Sequence, residues 1–140
     1  MRKLIYYTLF QLIFFNIQAQ SNPCLIFDAS SIDSLQEIKN DSGNIKQVLK
    51  AIHDTIATDL TLTFKDFKIN EPLKKVYVMA TKELTKISDS NGFVYFNAFG
   101  TGGNYTISIS RENYHCIEID NLHFNSREIR WIEVKLRKTN

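Results

Sequence analysis

The sequence carries almost no excess of charge of either sign. Its 17 lysines and arginines face 15 aspartates and glutamates, a formal net charge of +2 over 140 residues. Arg2 and Lys3 account for this excess, since residues 1–20 contain no acid and the rest of the chain is formally neutral (2 − 2 = 0). A neutral chain offers no electrostatic basis for binding an anionic polymer or membrane. We therefore expect no nucleic acid among its partners.

The sequence also lacks an apolar run long enough to span a bilayer. The longest such stretch, residues 4–17, is interrupted by Gln11 and Asn16. A spanning helix needs about 20 predominantly apolar residues in succession. The stretch is therefore too short for a typical membrane span.

The order of residues at the N-terminus is instead typical of a secretory signal. Arg2 and Lys3 form a positively charged start, the apolar stretch follows, and Ala19 supplies a small residue for cleavage. We predict that residues 1–20 are a cleaved signal peptide and that the mature protein is periplasmic, or at the cell surface or extracellular, without a membrane span. An uncleaved anchor is the alternative.

Cysteine is scarce. The chain contains only Cys24 and Cys116, and an even number in an exported chain permits a disulfide. Cys116 also fits a small buried residue with a free thiol, so pairing and two free thiols are both left open. Lipid attachment at Cys24 is less favoured, because residues 21–23 lack the apolar and small residues of a lipobox.

Motifs of familiar catalytic chemistry are missing. No Gly-x-Ser-x-Gly elbow is present, and the glycine-rich residues 100–103 lack the Lys-Ser/Thr of a phosphate loop. The Asp89-x-Asn91-Gly92 sequence resembles part of a calcium loop, but Ile87 and Ala98 stand where that loop needs acidic ligands. We interpret it as a hairpin turn.

The three histidines do not form a convincing metal site. His115 and His123 flank a candidate turn at residues 120–121, and His53 lies far from them in sequence. His115 and Cys116 are adjacent, so in a strand they point to opposite faces, whereas zinc needs three or four converging ligands. We predict no catalytic residue, no cofactor and no metal. A small exported hydrolase with an unrecognised active site is the alternative.

Residues 30–58 show helical periodicity. A capping sequence begins at Ser30, and a turn cluster occupies residues 40–44. Apolar residues recur at helical spacing on both sides of that turn: Ile32, Leu35 and Ile38, then Ile45, Val48, Leu49, Ile52 and Ile56. The pattern predicts one or two helices, the second packed on the rest of the protein.

From residue 60 onward the period becomes two. Apolar and polar residues alternate, as in Leu60, Leu62 and Phe64, in Tyr105, Ile107 and Ile109, and in Ile132, Val134 and Leu136. About seven short strands separated by turns predict a mainly β, antiparallel, Ig-like sandwich. The one or two helices predicted in residues 30–58 would precede this sandwich as an N-terminal addition.

Trp131 is the aromatic residue with the clearest surface prediction. Ile132 belongs to the apolar face of the last strand, so Trp131 lies on the opposite face with Glu133 and Lys135. An aromatic side chain on a polar face suits a binding surface for a sugar or a protein. Covering the end of the sandwich or the helix stripe is the simpler interpretation.

Three stretches resemble the carboxypeptidase regulatory-like domains, a transthyretin-like β-sandwich family. They are residues 70–78 (NEPLKKVYV), residues 85–93 (TKISDSNGF), and residues 103–110 (GNYTISIS) followed by Asn113-Tyr114. Ser88 and Asn113 depart from the family's preferred threonine and glycine. The resemblance covers a little over half of the chain.

The resemblance implies a non-catalytic accessory or binding domain of the bacterial cell envelope, with an unidentified envelope protein or glycan as partner. It also divides the chain into a signal peptide (residues 1–20), an N-terminal segment with one or two helices (21–58) and a β-sandwich domain (59–138). Since fold does not imply function, the ligand stays open.

Overall fold

The described part of the chain is mainly β-strand. The computed structural model describes residues 24–29, 37–40, 43–52, 58–97, 103–125 and 127–140, so the signal peptide prediction lies outside the described residues. The strands are β1 (Leu25–Asp28), β2 (Glu37–Asn40), β3 (Gly43–Ile52), β4 (Asp59–Asp66), β5 (Tyr77–Thr81), β6 (Leu84–Ile87), β7 (Phe93–Phe96), β8 (Asn104–Ser110), β9 (Ile117–His123) and β10 (Glu128–Leu136).

The strands form two five-stranded sheets. Sheet A has the order β1-β9-β8-β5-β6, and sheet B has the order β2-β3-β10-β4-β7. Most neighbours are antiparallel, but β1 runs parallel to β9 and β4 runs parallel to β10. The mainly β sandwich is therefore confirmed. The predicted count of seven strands is wrong, and so is the prediction that all of them are antiparallel.

Apolar side chains of both sheets build one core. In β4 and β10 the residues of the predicted apolar faces are fully buried, and from sheet A they meet residues such as Ile107, Ile109, Ile117 and Ile119. Burying a side chain of this size contributes about 1.5–3 kcal/mol. The alternation read from the sequence thus identifies the core face of each of these strands.

The predicted helix over residues 45–56 is wrong. Residues 43–52 form β3, which pairs with β2 on one side and β10 on the other. The β3–β10 register shifts between Trp131 and Ile132, so that β3 contains one extra residue, Val48. Such a bulge breaks the two-residue period, and the apolar residues on its two sides then acquire a spacing that resembles a helix.

The first predicted helix also fails where the structure describes it. Ile38 lies in β2, an extended strand paired with β3, while Ile32 and Leu35 lie outside the described residues. The strands β1, β2 and β3 belong to the two sheets. The sandwich therefore includes residues before 59, and no helical elaboration precedes it in the part of the chain described.

The turn at residues 88–92 connects the two sheets rather than closing a hairpin within one. β6 ends in sheet A and β7 begins in sheet B. Ser88 Oγ donates to the carbonyl oxygen of Leu73 (2.7 Å) and accepts from the N–H of Val76 (2.9 Å). Gly92 adopts φ +77°, a conformation that glycine tolerates best. Ser88 thereby fixes the point where the chain changes sheet.

Candidate functional site

Three aromatic side chains lie together on the outer face of sheet B. We call Phe93, Tyr95 and Trp131 the aromatic strip. β4 separates the strands that carry them, and its Thr61 pairs with Tyr95 on one side and with Trp131 on the other. Threonine is short, so the larger rings of the neighbouring strands can extend across β4. The strip therefore forms because the strand order of sheet B places β7 and β10 on either side of β4.

The strip is ordered by contacts among its own members and β4. The Phe93 and Trp131 ring centroids are 6.1 Å apart at 49°, a geometry typical of favourable aromatic pairs. The Trp131 indole N–H donates to Thr63 Oγ1 at 3.2 Å. Burial, a hydrogen bond to Asp59 and the negative charge of Asp59 raise the pKa of Tyr95, so its hydroxyl stays protonated at neutral pH.

Much of the strip remains accessible to solvent. Phe93 is 40% exposed and Tyr95 is 49% exposed, while Trp131 is half-buried. Charged side chains continue the same face: Lys65 contacts Glu133 at 2.8 Å, and Lys135 contacts the same carboxylate at 3.9 Å. An accessible aromatic surface beside polar groups suits contact with a protein or a sugar.

Three outward-facing backbone groups of the edge strand β7, beside the strip, already have hydrogen-bond partners. Asp89 Oδ1 accepts from the N–H of Phe93 (2.9 Å), and the N–H of Asp89 donates to the Phe93 carbonyl oxygen (3.1 Å). Lys86 Nζ donates to the carbonyl oxygen of Tyr95 at 2.6 Å. Edge strands recruit partners through unpaired backbone groups, so these three occupied groups favour a partner that approaches the aromatic face.

Trp131 lies on the predicted face of the last strand, opposite Ile132. It does not cover the end of the sandwich, because its neighbours are Thr63 and Phe93 in the adjoining strands. No sequence pattern indicates that Phe93 and Tyr95 join it. Alternation in β7 marks both as outward-facing, but the proximity of β7 to β10 arises from tertiary pairing through β4.

Cys24 and Cys116 form a disulfide, with their Cα atoms 4.8 Å apart. Cys24 immediately precedes β1 and Cys116 immediately precedes β9, and the two strands run parallel from that point. The N–H of Leu25 also donates to the Cys116 carbonyl oxygen at 3.3 Å. The bond thus attaches the edge strand β1 to sheet A, and it leaves no thiol at Cys24 for a lipid.

The two described histidines, His115 and His123, do not converge. His123 ends β9 and is exposed, and residues 120–121 belong to that continuous strand rather than to a turn. His115 lies before the strand's first residue, so the length of β9 separates the two. His53 lies outside the described residues. Among those described, no group of three or more His, Cys, Asp or Glu residues is placed to hold a metal ion.

The calcium-like sequence is a turn held by its own aspartate. Asp89 Oδ1 accepts from the N–H of Asn91 at 2.9 Å as well as from Phe93, which is the geometry of a self-capping turn. Of the glycine-rich stretch only Gly103 is described, and it is exposed. The described residues of these two segments connect strands and do not provide a set of ligands for calcium or phosphate.

One buried carboxylate, Asp66, lies at the end of β4. Its Oδ1 accepts from the N–H groups of Lys68 (2.8 Å) and Ile69 (3.1 Å), and its Oδ2 accepts from the Tyr114 hydroxyl (2.7 Å). Burial alone opposes ionisation, but these hydrogen bonds and the charge of Lys138 hold the pKa of Asp66 below its usual range. The carboxylate of Asp66 therefore holds the turn that follows β4.

Comparison with known proteins identifies no relative: no protein-family model matches the chain, and no curated protein sequence does. Within the described part of the chain, no helix has the length and apolar character required to cross a membrane. The surface of the sandwich therefore provides the observations from which a function can be inferred.

Proposed function

We propose that this chain is an exported, non-catalytic β-sandwich domain that binds a protein or glycan of the bacterial cell envelope. The aromatic strip is the observation that carries the proposal. It places three rings on one accessible face, next to a strand edge on which several backbone groups already have partners. Aromatic side chains supply large contact area and dominate many protein interfaces.

Export to the periplasm or beyond is supported by two independent features. Residues 1–20 have the charged, apolar and small-residue order of a signal peptide. The Cys24–Cys116 disulfide is typical of chains that fold in an oxidising compartment.

The finer fold that we propose is that of the carboxypeptidase regulatory-like, transthyretin-like domains. Support comes from the roles of the resembling residues. Leu73, Val76 and Val78 of residues 70–78 are buried, and Gly92 of residues 85–93 has the positive φ that its turn requires. Domains of this family are mostly accessories, which agrees with a binding role.

The test of binding is retention on isolated cell envelopes. Mature protein is mixed with envelopes of the cells that produce it, the envelopes are sedimented, and bound protein is measured as concentration rises. Phe93→Ser and Tyr95→Ser should each weaken retention about tenfold, the scale of one lost aromatic contact.

Tyr77→Ser is the matched control. Tyr77 is 53% exposed on β5, on the outer face of sheet A, and removing it should leave retention unchanged. Loss of retention in this variant alone would assign binding to the opposite sheet and contradict the proposal.

Mass spectrometry of protein recovered from the envelope should give an N-terminus near Gln20 or Ser21; an intact Met1 would contradict cleavage.

A further inference from the structure

A cleft of about 490 Å³ lies at the end of the sandwich where β4 and β10 terminate. The two strands run parallel, so both deliver their following residues to the same place. The turn after β4 provides Phe67, Lys68 and Ile69, and the chain after β10 provides Arg137 and Lys138. The volume falls in the range of sites for small organic molecules.

The walls of the cleft are tied together by backbone hydrogen bonds. The N–H of Phe67 donates to the carbonyl oxygen of Leu136, and the N–H of His115 donates to that of Arg137, both at 2.9 Å. The disulfide at Cys116 adjoins this second bond. A site fixed before its ligand arrives loses less entropy on binding.

Positive charge dominates the side chains that line the cleft. Lys68, Arg137 and Lys138 carry three positive charges against the single negative charge of Asp66. Lys138 Nζ lies 4.0 Å from Asp66 Oδ2. Among the described residues, no ion pair involves Lys68 or Arg137. Neither of these two cationic groups therefore has a counter-charge among the described side chains.

Arg137 is positioned to receive an anion. Its guanidinium lies 3.3 Å from the ring centroid of Phe67, so one face of the group is held against the aromatic ring. The donors of a guanidinium lie in its plane, in a fork that matches the oxygens of a carboxylate or phosphate. Stacking on Phe67 thus fixes the plane without using the fork.

The cleft also offers apolar surface. Ile69 is 57% exposed, and its backbone is held by the hydrogen bond to Asp66. With Phe67 it forms an apolar wall next to the cationic groups. The combination suits a molecule with a charged end and an apolar body.

We propose that this cleft binds a small organic anion, whose carboxylate or phosphate group contacts Arg137 and Lys68 and whose apolar part contacts Phe67 and Ile69. The site is distinct from the aromatic strip, because Arg137 lies six residues beyond Trp131 along the chain. The inference goes beyond the proposed function and does not depend on it.

The test is a titration of isotope-labelled mature protein, followed by NMR at constant ionic strength. Benzoate, acetate, inorganic phosphate and neutral benzamide are the probes. Benzoate should produce saturable shifts in residues 66–69, 115 and 137–140 and bind about fivefold more tightly than acetate, because only benzoate reaches the apolar wall. Comparing inorganic phosphate with acetate shows whether the site prefers a phosphate or a carboxylate group. Benzamide, which has no charge, should cause no saturable shift.

Arg137→Gln and Lys68→Gln should each weaken benzoate binding about tenfold, the effect of losing one charge-assisted hydrogen bond. Lys82→Gln, an exposed lysine in the turn between β5 and β6, is the matched control and should bind as the unaltered protein does. If Arg137→Gln disturbs the fold, Lys68→Gln still tests the proposal, because Lys68 is exposed and its substitution should leave the fold intact. Shifts that never saturate, or equal binding in Lys68→Gln and Lys82→Gln, would overturn the proposal.

Discussion

At the scale of single residues, Asp66 and Tyr114 connect three segments of the chain. Asp66 ends β4, Tyr114 lies between β8 and β9, and Lys138 follows β10. Burial, donation to Asp66 and the negative charge of Asp66 raise the pKa of Tyr114. The phenol therefore remains a hydrogen-bond donor to the ionised carboxylate at neutral pH.

Tyr114→Phe should lower the free energy of unfolding by about 1.5–3 kcal/mol at pH 7, since a hydrogen bond to a buried charge is lost. The pKa of Asp66 is lowered by folding, so its contribution is present above its unfolded pKa, about 3.9, and is lost as pH falls through the lower folded value. Denaturant titrations should show the gap between the two proteins closing below about pH 4.

Tyr77→Phe serves as the control for this experiment, because Tyr77 is exposed on β5 and its change should leave stability unaltered. A Tyr114→Phe deficit that persists unchanged until both proteins unfold in acid would show that the hydroxyl does not stabilise the fold through ionised Asp66.

At the scale of elements, Gln47 distinguishes strand from helix in β3. A helix over residues 45–56 places Gln47 on its polar face, whereas in β3 the side chain is buried beside Ile45. Among the described residues, neither its Nε2 nor its Oε1 has a hydrogen-bond partner. A buried amide without a hydrogen-bond partner lowers the free energy of unfolding. A charged side chain at the same position would be more costly still.

Gln47→Lys should therefore destabilise the protein by about 3 kcal/mol or more, because it buries an unpaired charge. Lys46→Gln, at the exposed neighbouring position of the same strand, should have little effect. Thermal unfolding of both variants provides the measurement. Equal, small effects would mean that Gln47 faces solvent, as in the helix.

Gly92 is the glycine on which the turn between the sheets depends. A Cβ at this position would lie 2.5 Å from the carbonyl oxygen of Phe64, at a φ of +77°. Gly92→Ala should lower the free energy of unfolding by about 1–3 kcal/mol. Gly103→Ala is the control, because a Cβ there meets nothing within 4 Å. Equal stability of the two variants by denaturant titration would contradict this role of Gly92.

The sequence predicts best those elements whose pattern is local. β4 and β10 alternate cleanly because one face of each meets the core and the other meets solvent, so the outward placement of Trp131 follows as well. β3 misleads because its bulge changes the period. The parallel pairing of β4 with β10 depends on residues 70 positions apart, and no local pattern encodes it. Phe93 and Tyr95 could not be assigned to the strip for the same reason.

At the scale of the whole molecule, the disulfide joins residues separated by 92 positions. Closing a loop of that length restricts the unfolded chain, and the chain-entropy model gives about 4–5 kcal/mol of stabilisation. Cys24→Ala/Cys116→Ala should lose stability on this scale in denaturant titrations.

Reductant should destabilise the unaltered protein and leave the double variant unchanged. Two titratable thiols in freshly isolated, denatured protein would show that the bond is absent in the cell. Sequence alone left pairing open because the closeness of Cys24 to Cys116 follows from the parallel alignment of β1 with β9.

The indole N–H of Trp131 tests the binding role of the aromatic strip most directly. Trp131 is the single tryptophan of the chain, so nitrogen-labelled protein gives one indole signal that unlabelled envelope material cannot obscure. Adding solubilised envelope components should shift or broaden this signal saturably, and Tyr95→Ser should weaken the effect about tenfold. Protease and glycosidase treatment of those components identifies the partner as protein or glycan. An indole signal that stays unchanged while signals elsewhere respond would contradict binding at the strip.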